Sequence, residues 1–203
     1  DRYELNDLIA QVMGELSALH IFVGGGDVRT SPDNTLLPSC LGAVLIKDKS
    51  KDGYRIDHIY KSDPDYPDEL SPLARNHSKI REGDIITHIN GVSVLKVDHL
   101  SELLRKNEYK QVRLTLKSGS GGKEFDEIVK PIGSYEESEL RYREWEYLCR
   151  TRVEEKSKGT IGYVHLRAMG PFNFSEFIKA FYPVFNRQGL VLDVRNNQGG
   201  NID

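Results

Sequence analysis

One short stretch near the middle of the chain limits what its central part can fold into. Residues 81–91 run Arg-Glu-Gly-Asp-Ile-Ile-Thr-His-Ile-Asn-Gly. Glu82-Gly83-Asp84 is a turn sequence, Ile85–Ile89 has the β-branched composition of a strand, and Asn90-Gly91 is the dipeptide that two-residue hairpin turns prefer. We therefore predict a buried strand that enters a tight hairpin, and an antiparallel sheet around it.

The segments on both sides of this hairpin complete a domain. Strands are predicted at 41–46, 54–60, 111–117 and 125–129. A short helix is predicted to start at Ser71 with Pro72 in its first position, and a longer helix follows Asp98, a residue suited to N-capping. The predicted fold class of this part is mixed α+β, a partly open β-barrel capped by two helices.

The end of the chain has a different pattern. Ile161–Leu166 and Leu190–Val194 are predicted strands on either side of a helix that Asn173 or Ser175 would cap. This order predicts one βαβ unit of a truncated α/β core. Arg195–Gly200 then lies at the carboxyl end of the second strand, where open α/β sheets place their sites. One such unit cannot bury both faces, so we expect further chain or a partner to cover it.

Two further segments are predicted to be helical. An amphipathic helix runs from Leu5 to Leu16 on the i, i+3, i+4, i+7 spacing, and His20 follows it. Charged residues with high helix propensity fill the stretch before the βαβ unit. The predicted organisation is a helical segment at 1–36, the central domain at 37–132, a helical connector at 133–158 and the start of the α/β core at 159–203.

Composition excludes some classes of function. The 203 residues are 38% hydrophobic and 29% charged, and the net charge of −3 gives no reason to expect a nucleic-acid partner. No stretch reaches the ~18 consecutive apolar residues of a membrane helix. We expect no metal and no cofactor, because the histidines lack ligand spacing and no phosphate-binding glycine motif precedes a helix. Cys40 and Cys149 are interpreted as two separate thiols.

The central domain resembles the PDZ family. Leu41-Gly42-Ala43-Val44 is similar to the carboxylate-binding loop, residues 81–91 are similar to the most distinctive stretch of the family, and a helix from His99 follows. The resemblance implies that an extended peptide adds to the strand edge at Ala43–Ile46. Its terminal carboxylate meets backbone N–H groups, and its last side chain meets the helix near Leu103. His99 either bonds a Ser or Thr of the ligand or is a solvated first-turn residue.

The whole chain resembles tricorn-type proteases, which belong to the C-terminal-processing serine peptidases. The resemblance lies in Glu15–His20, the PDZ domain, Gly162–Leu166 and Leu190–Gly200. It implies a crotonase-like core, with His20 as the general base and the N–H of Gly199, or alternatively Gly200, in the oxyanion hole. Leu19 stands where the tricorn enzyme has a serine directly before its catalytic histidine, so the relay differs in detail.

The function implied by this resemblance is peptide-bond hydrolysis through an acyl-enzyme. No serine of the chain is assigned as the nucleophile, so the chain by itself is expected to be inactive. Expected partners are peptide or protein substrates and, in the full-length protein, further copies of itself. The compartment is left open between cytoplasmic and exported in a prokaryote. The alternatives are a PDZ adaptor without catalysis and a non-catalytic relative that binds an apolar ligand.

Overall fold

The N-terminal unit contains a capped helix. The computed structural model describes residues 1–16, 21–27, 38–75 and 78–200, which fall into two units, Asp1–Leu36 and Leu37–Asp203. Helix α1 (Arg2–Gly14) begins with a capping box, in which Asp1 accepts from the Glu4 N–H at 3.0 Å. The predicted amphipathic helix is therefore present, but it starts at Arg2. Its apolar stripe is mostly exposed, with Val12 at 69%.

A six-stranded antiparallel sheet forms the first part of the second unit. Its strands are Ala43–Asp48 (β1), Gly53–Ile59 (β2), Ile85–Ile89 (β3), Val92–Ser93 (β4), Val112–Lys117 (β5) and Glu124–Val129 (β6). The strand order is β1-β2-β3-β5-β6, and β4 pairs with β3. The strands form an open sheet and do not close into a barrel. The Asn90-Gly91 turn has φ values of 50° and 81°, as the predicted hairpin requires.

The predicted helices around the sheet are shorter than expected. The segment from Ser71 is a turn, closed by Ala74 N–H donating to the Ser71 carbonyl at 2.8 Å. Helix α2 (Ser101–Leu104) has a single turn because the backbone of Arg105 is already extended. The N-cap of α2 is Leu100 and not the predicted Asp98. The backbone carbonyl of Asp98 accepts a hydrogen bond from Lys47 Nζ at 3.2 Å.

The core of the sheet lies under β2, β3 and β5, and the buried positions alternate with more exposed ones along β5. Side chains with no more than 3% exposure come from every long strand except β1 and β6, and from α2 and the turns. They include Ile56, Leu73, Ile85, Ile86, Ile89, Val94, Leu100, Leu104, Val112, Leu114 and Leu116. Burying these aliphatic side chains is the main favourable contribution to folding of this part.

The second unit continues with a long helix and a βαβ unit. Helix α3 (Ser134–Ser157) leads to β7 (Ile161–His165), α4 (Pro171–Phe181) and β8 (Gly189–Asp193). Strands β7 and β8 are parallel and place His165 opposite Asp193, so the loops after both strands are neighbours. Gly170 is the N-cap of α4, which corrects the prediction of Asn173 or Ser175. None of the described helices combines the length and apolarity needed to cross a bilayer.

Candidate active site and peptide groove

The loop after β8, residues 194–200 (the β8 loop), is hydrogen-bonded to the segment that follows β7. Gln198 N–H donates to the Arg167 carbonyl at 3.1 Å, and Met169 N–H donates to the Gly199 carbonyl at 2.7 Å. Parallel strands bring these two segments to the same edge of the sheet, so the bonds span neighbouring strand ends. The stretch predicted to carry the oxyanion hole is therefore attached at two points to the segment after β7.

The two glycines at the end of this loop have different surroundings. Gly199 has φ +75°, and a Cβ added to it would meet no atom within 4 Å. Gly200 has φ +132°, and a Cβ there would collide with the Met169 carbonyl. Gly200 is thus required by close backbone packing, whereas Gly199 faces open space among the described residues. This difference favours Gly199 as the glycine that a substrate approaches.

The N–H of Gly199 is engaged by a side chain. It donates to Asn197 Oδ1 at 2.7 Å, and Asn197 Nδ2 donates to the Leu166 carbonyl at 2.7 Å. The carboxamide oxygen therefore takes the acceptor position that a developing oxyanion would use, and it must be displaced for that N–H to act. Sequence analysis missed Asn197, although an Asn two residues before a Gly is a common turn signal.

The base of the loop is fixed by a buried carboxylate. Asp193 is 7% exposed, and it accepts from Arg195 Nε at 3.0 Å and from the Tyr163 hydroxyl at 2.8 Å. The hydrogen bond from Arg195 holds the pKa of this carboxyl well below its ordinary range. Asp193 is therefore an anionic anchor for the first residues of the loop.

The predicted general base is His20. His20 lies outside the described residues, as does Leu19. The assignment of His20, Gly199 and Gly200 therefore stays a prediction.

A cavity of about 510 Å³ lies beside the same loop. Its lining includes Leu140, Phe172, Arg167 and Gln198. Glu139 binds the Arg167 guanidinium through two hydrogen bonds of 2.8 and 2.6 Å, which lower the pKa of Glu139. The walls combine this ion pair and the apolar side chains of Leu140 and Phe172 with further charged residues such as Glu136.

The predicted carboxylate-binding loop requires a glycine for two reasons. Gly42 has φ +68°, and a Cβ on it would lie 2.7 Å from both Pro72 Cδ and Ser71 Oγ. The Gly42 carbonyl accepts from Ser71 Oγ at 2.8 Å and from Tyr60 N–H at 3.2 Å. Neighbouring segments therefore set the shape of the loop.

The strand after this loop has the features of a peptide groove. β1 is the edge strand of the sheet, and within the described residues it pairs with β2 alone. Ala43 and Leu103 pack against the core but stay partly exposed, so they can form the floor of a pocket. Val44 is 39% exposed, whereas Leu41 is buried in the core at 2% and can contribute only its backbone to binding.

His99, the predicted ligand-binding histidine, lies just before helix α2. It is exposed, and its ring lies edge-on to Tyr54 with the centroids 6.2 Å apart. Ser101 N–H donates to His99 Nδ1 at 3.2 Å. When the ring is neutral, its proton is therefore on Nε2, which can donate to a ligand hydroxyl. Both sequence-based alternatives for His99 stay predictions.

Helix α3 is joined to the PDZ sheet by a charged contact that no local pattern indicated. His58 lies between two carboxylates, with Nδ1 2.9 Å from Glu82 and Nε2 2.7 Å from Glu144. Glu144 is 9% exposed and also accepts from Lys61 N–H at 2.8 Å. A hydrogen bond from Ile59 N–H, assisted by His58, lowers the pKa of Glu82.

Two family models match parts of this chain. Residues 40–134 match the family described as the tricorn protease PDZ domain, and residues 160–203 match peptidase family S41. A protein named as a tricorn-like protease C-terminal subunit, from Sulfurisphaera tokodaii, is 37% identical over 99% of the chain. The chain belongs to the tricorn-type protease family. A tricorn protease homolog from Saccharolobus solfataricus is 36% identical over 98% of the chain.

A solved structure has a similar fold over almost the whole chain. The crystal structure of the tricorn protease superimposes with a TM-score of 0.79 at 30% identity over 99% of the chain, and the chain covers 19% of that structure. The chain likewise covers 22% and 18% of the two tricorn-type relatives named above, about a fifth of their length. The family resemblance that the sequence predicted is confirmed.

Proposed function

We propose that the protein containing this chain is a serine peptidase that hydrolyses peptides through an acyl-enzyme. The observation that carries the proposal is the loop after β8, where Gly199 has a positive φ and faces open space. Its N–H is suited to stabilise the oxygen of a tetrahedral intermediate once Asn197 moves away. The match of this region to peptidase family S41 supports the same chemistry.

The roles proposed for the residues follow the serine-peptidase scheme. His20 takes the proton from the nucleophilic serine as it attacks the carbonyl, and later gives that proton to the leaving amine. Gly199 stabilises the oxyanion, with Gly200 as the alternative. The nucleophile is assigned to no serine of this chain. The cavity beside Gln198 would hold part of the substrate.

Finer features of the protein are proposed on the same basis. The domains are a helical segment at 1–36, a PDZ domain at 37–132, a connector at 133–158 and the start of a crotonase-like core at 159–203. The substrates are peptides or proteins cleaved by endopeptidase or oligopeptidase action, and the full-length protein is a homo-oligomer. The similarity to tricorn-type proteases over almost the whole chain supports these proposals.

The PDZ domain implies peptide binding, and we propose that the groove beside β1 captures the C-terminal end of a peptide. The edge position of β1 supports this, because an extended peptide can add to it as a further strand. Binding of C-terminal peptides without any hydrolysis by the full-length protein would favour the adaptor alternative.

The decisive experiment removes the proposed base in the full-length protein. His20→Ala should lower kcat for peptide hydrolysis by at least about 10³-fold, because the serine then has no proton acceptor. His88→Ala is the matched control, since His88 lies on β3 of the PDZ sheet, away from the β8 loop, and it should keep wild-type rates. Near-wild-type hydrolysis by the His20→Ala variant, folded as judged by circular dichroism, would refute the assignment.

A further inference from the structure

His165 links helix α3 to the start of the β8 loop. It is the last residue of β7, and its Nε2 lies 2.8 Å from the Arg195 carbonyl oxygen. A carbonyl oxygen can only accept, so Nε2 carries the proton and donates it. On the other side of the ring, Nδ1 lies 2.9 Å from the Tyr142 hydroxyl of α3.

The imidazole ring is also fixed by aromatic contacts. Trp145 of α3 lies edge-on to it, with the ring centroids 4.8 Å apart. Burial raises the pKa of Tyr142 to about 12, so its hydroxyl keeps its proton and can donate to Nδ1. These contacts leave His165 one orientation in which both ring nitrogens are satisfied. A side chain held in this way can act as a rigid support for a backbone group.

The bond from His165 meets the middle peptide of a turn, which Asn197 N–H closes by donating to the Val194 carbonyl at 3.2 Å. Asn197 and Gly199 are tied to the segment after β7, and Asp193 holds the Arg195 side chain. The peptide between Arg195 and Asn196 could still rotate without breaking any of those bonds, and this rotation would turn the N–H of Asn196, the residue that leads into Asn197. Asn196 has φ 57°, a left-handed conformation that asparagine tolerates, so the bond from His165 helps to fix the direction in which this peptide faces.

We propose that His165 is a positioning residue for the oxyanion hole, which it orients by donating a hydrogen bond from Nε2 to the Arg195 carbonyl. The proposal rests on the proposed peptidase function. A misplacement of the Gly199 N–H would weaken an interaction that is made mainly in the transition state, so kcat should fall while KM stays nearly constant.

The test uses two amide substitutions of His165 in the full-length protein. In His165→Gln the amide nitrogen reaches the position of Nε2 and can still donate to Arg195. In His165→Asn it stops at the position of Nδ1. We expect His165→Asn to lower kcat by about 10- to 100-fold with little change in KM, and His165→Gln to recover most of the wild-type kcat. His88→Asn is the control for the same substitution on a strand of the PDZ sheet, and its kcat should not change.

An inhibitor supplies a second readout. A peptide aldehyde forms a hemiacetal whose oxygen occupies the oxyanion hole, so its affinity should fall in parallel with kcat in His165→Asn, while substrate KM does not follow. Tyr142→Phe keeps the ring of Tyr142 but removes the donor to Nδ1, and it should give the same pattern in a weaker form. This variant also tests the proposal if His165→Asn does not fold.

The outcomes separate this proposal from the peptidase function. If the wild-type protein neither hydrolyses peptides nor reacts with a fluorophosphonate probe, both proposals are overturned. If the wild type is active and folded His165→Asn keeps kcat within about threefold, only the role of His165 is overturned. If His165→Asn and His165→Gln lose kcat equally and KM rises in parallel, His165 has only a structural role, and its proposed positioning role is overturned.

Discussion

Replacing Gly42 with alanine should destabilise the PDZ domain more than the same change at Gly122. Both glycines have left-handed backbones, with φ of +68° and +65°. An L-residue in this conformation costs roughly 1–2 kcal/mol at either position. A Cβ on Gly122 would meet no atom within 4 Å, whereas a Cβ on Gly42 would lie 2.7 Å from Ser71 Oγ and Pro72 Cδ and 3.0 Å from Leu140.

The difference between the two variants isolates the packing around the loop. Overpacking of this kind costs about 1–3 kcal/mol, so Gly42→Ala should lose roughly 2–5 kcal/mol in total, against about 1–2 kcal/mol for Gly122→Ala. Urea unfolding, followed by circular dichroism, measures both free energies. Gly42→Ala should also weaken binding of C-terminal peptides, and Gly122→Ala should not. Equal free energies of unfolding for the two variants would refute the packing argument.

Three further predictions concern charged and titratable side chains. Glu144→Ala should lower the free energy of unfolding by about 1–3 kcal/mol, measured by urea unfolding; the pair with His58 is only partly buried, so the loss is smaller than for a fully buried pair. The lowered pKa of Asp193 stabilises the fold above about pH 4, and this contribution disappears as the pH falls. Asp193→Asn should therefore be less stable than wild type at pH 7, with a smaller difference at pH 3. Burial raises the pKa of Cys40 to about 12, so iodoacetamide at pH 8 should modify it about 10³-fold more slowly than in the urea-unfolded chain, as mass spectrometry would show.

Local sequence patterns predicted the elements whose causes are local. The Asn90-Gly91 hairpin depends on two residues that tolerate positive φ, and the alternation in β5 depends on one buried face. The caps were predicted less well because they depend on where each helix actually begins. Helix α2 starts at Ser101, three residues after Asp98, and near its start the His99 N–H donates to Glu102 at 3.1 Å.

The parts of the site that the sequence did not predict depend on distant residues. Glu144 was not singled out within the predicted helical connector, because its partner His58 is 86 positions away. The contact between Tyr142 and His165 depends on how α3 lies against β7, which helical periodicity does not specify. The sequence favoured Gly199 with Gly200 as the alternative, but it did not indicate that the Met169 carbonyl crowds Gly200 and leaves Gly199 clear.

Helix α3 has a practical consequence for anyone who wishes to isolate the PDZ domain. A truncation after Ile132, the predicted end of this domain, removes Leu140 from the loop at Gly42 and Glu144 from His58. In such a fragment the loop at Gly42 would lose a neighbour and the His58 imidazole would lose the Glu144 carboxylate. Peptide affinities measured on it would therefore differ from those of the longer protein. A fragment that ends after Ser157 keeps all of α3 and therefore both contacts. Peptide affinities of the β1 groove should be measured on this longer fragment.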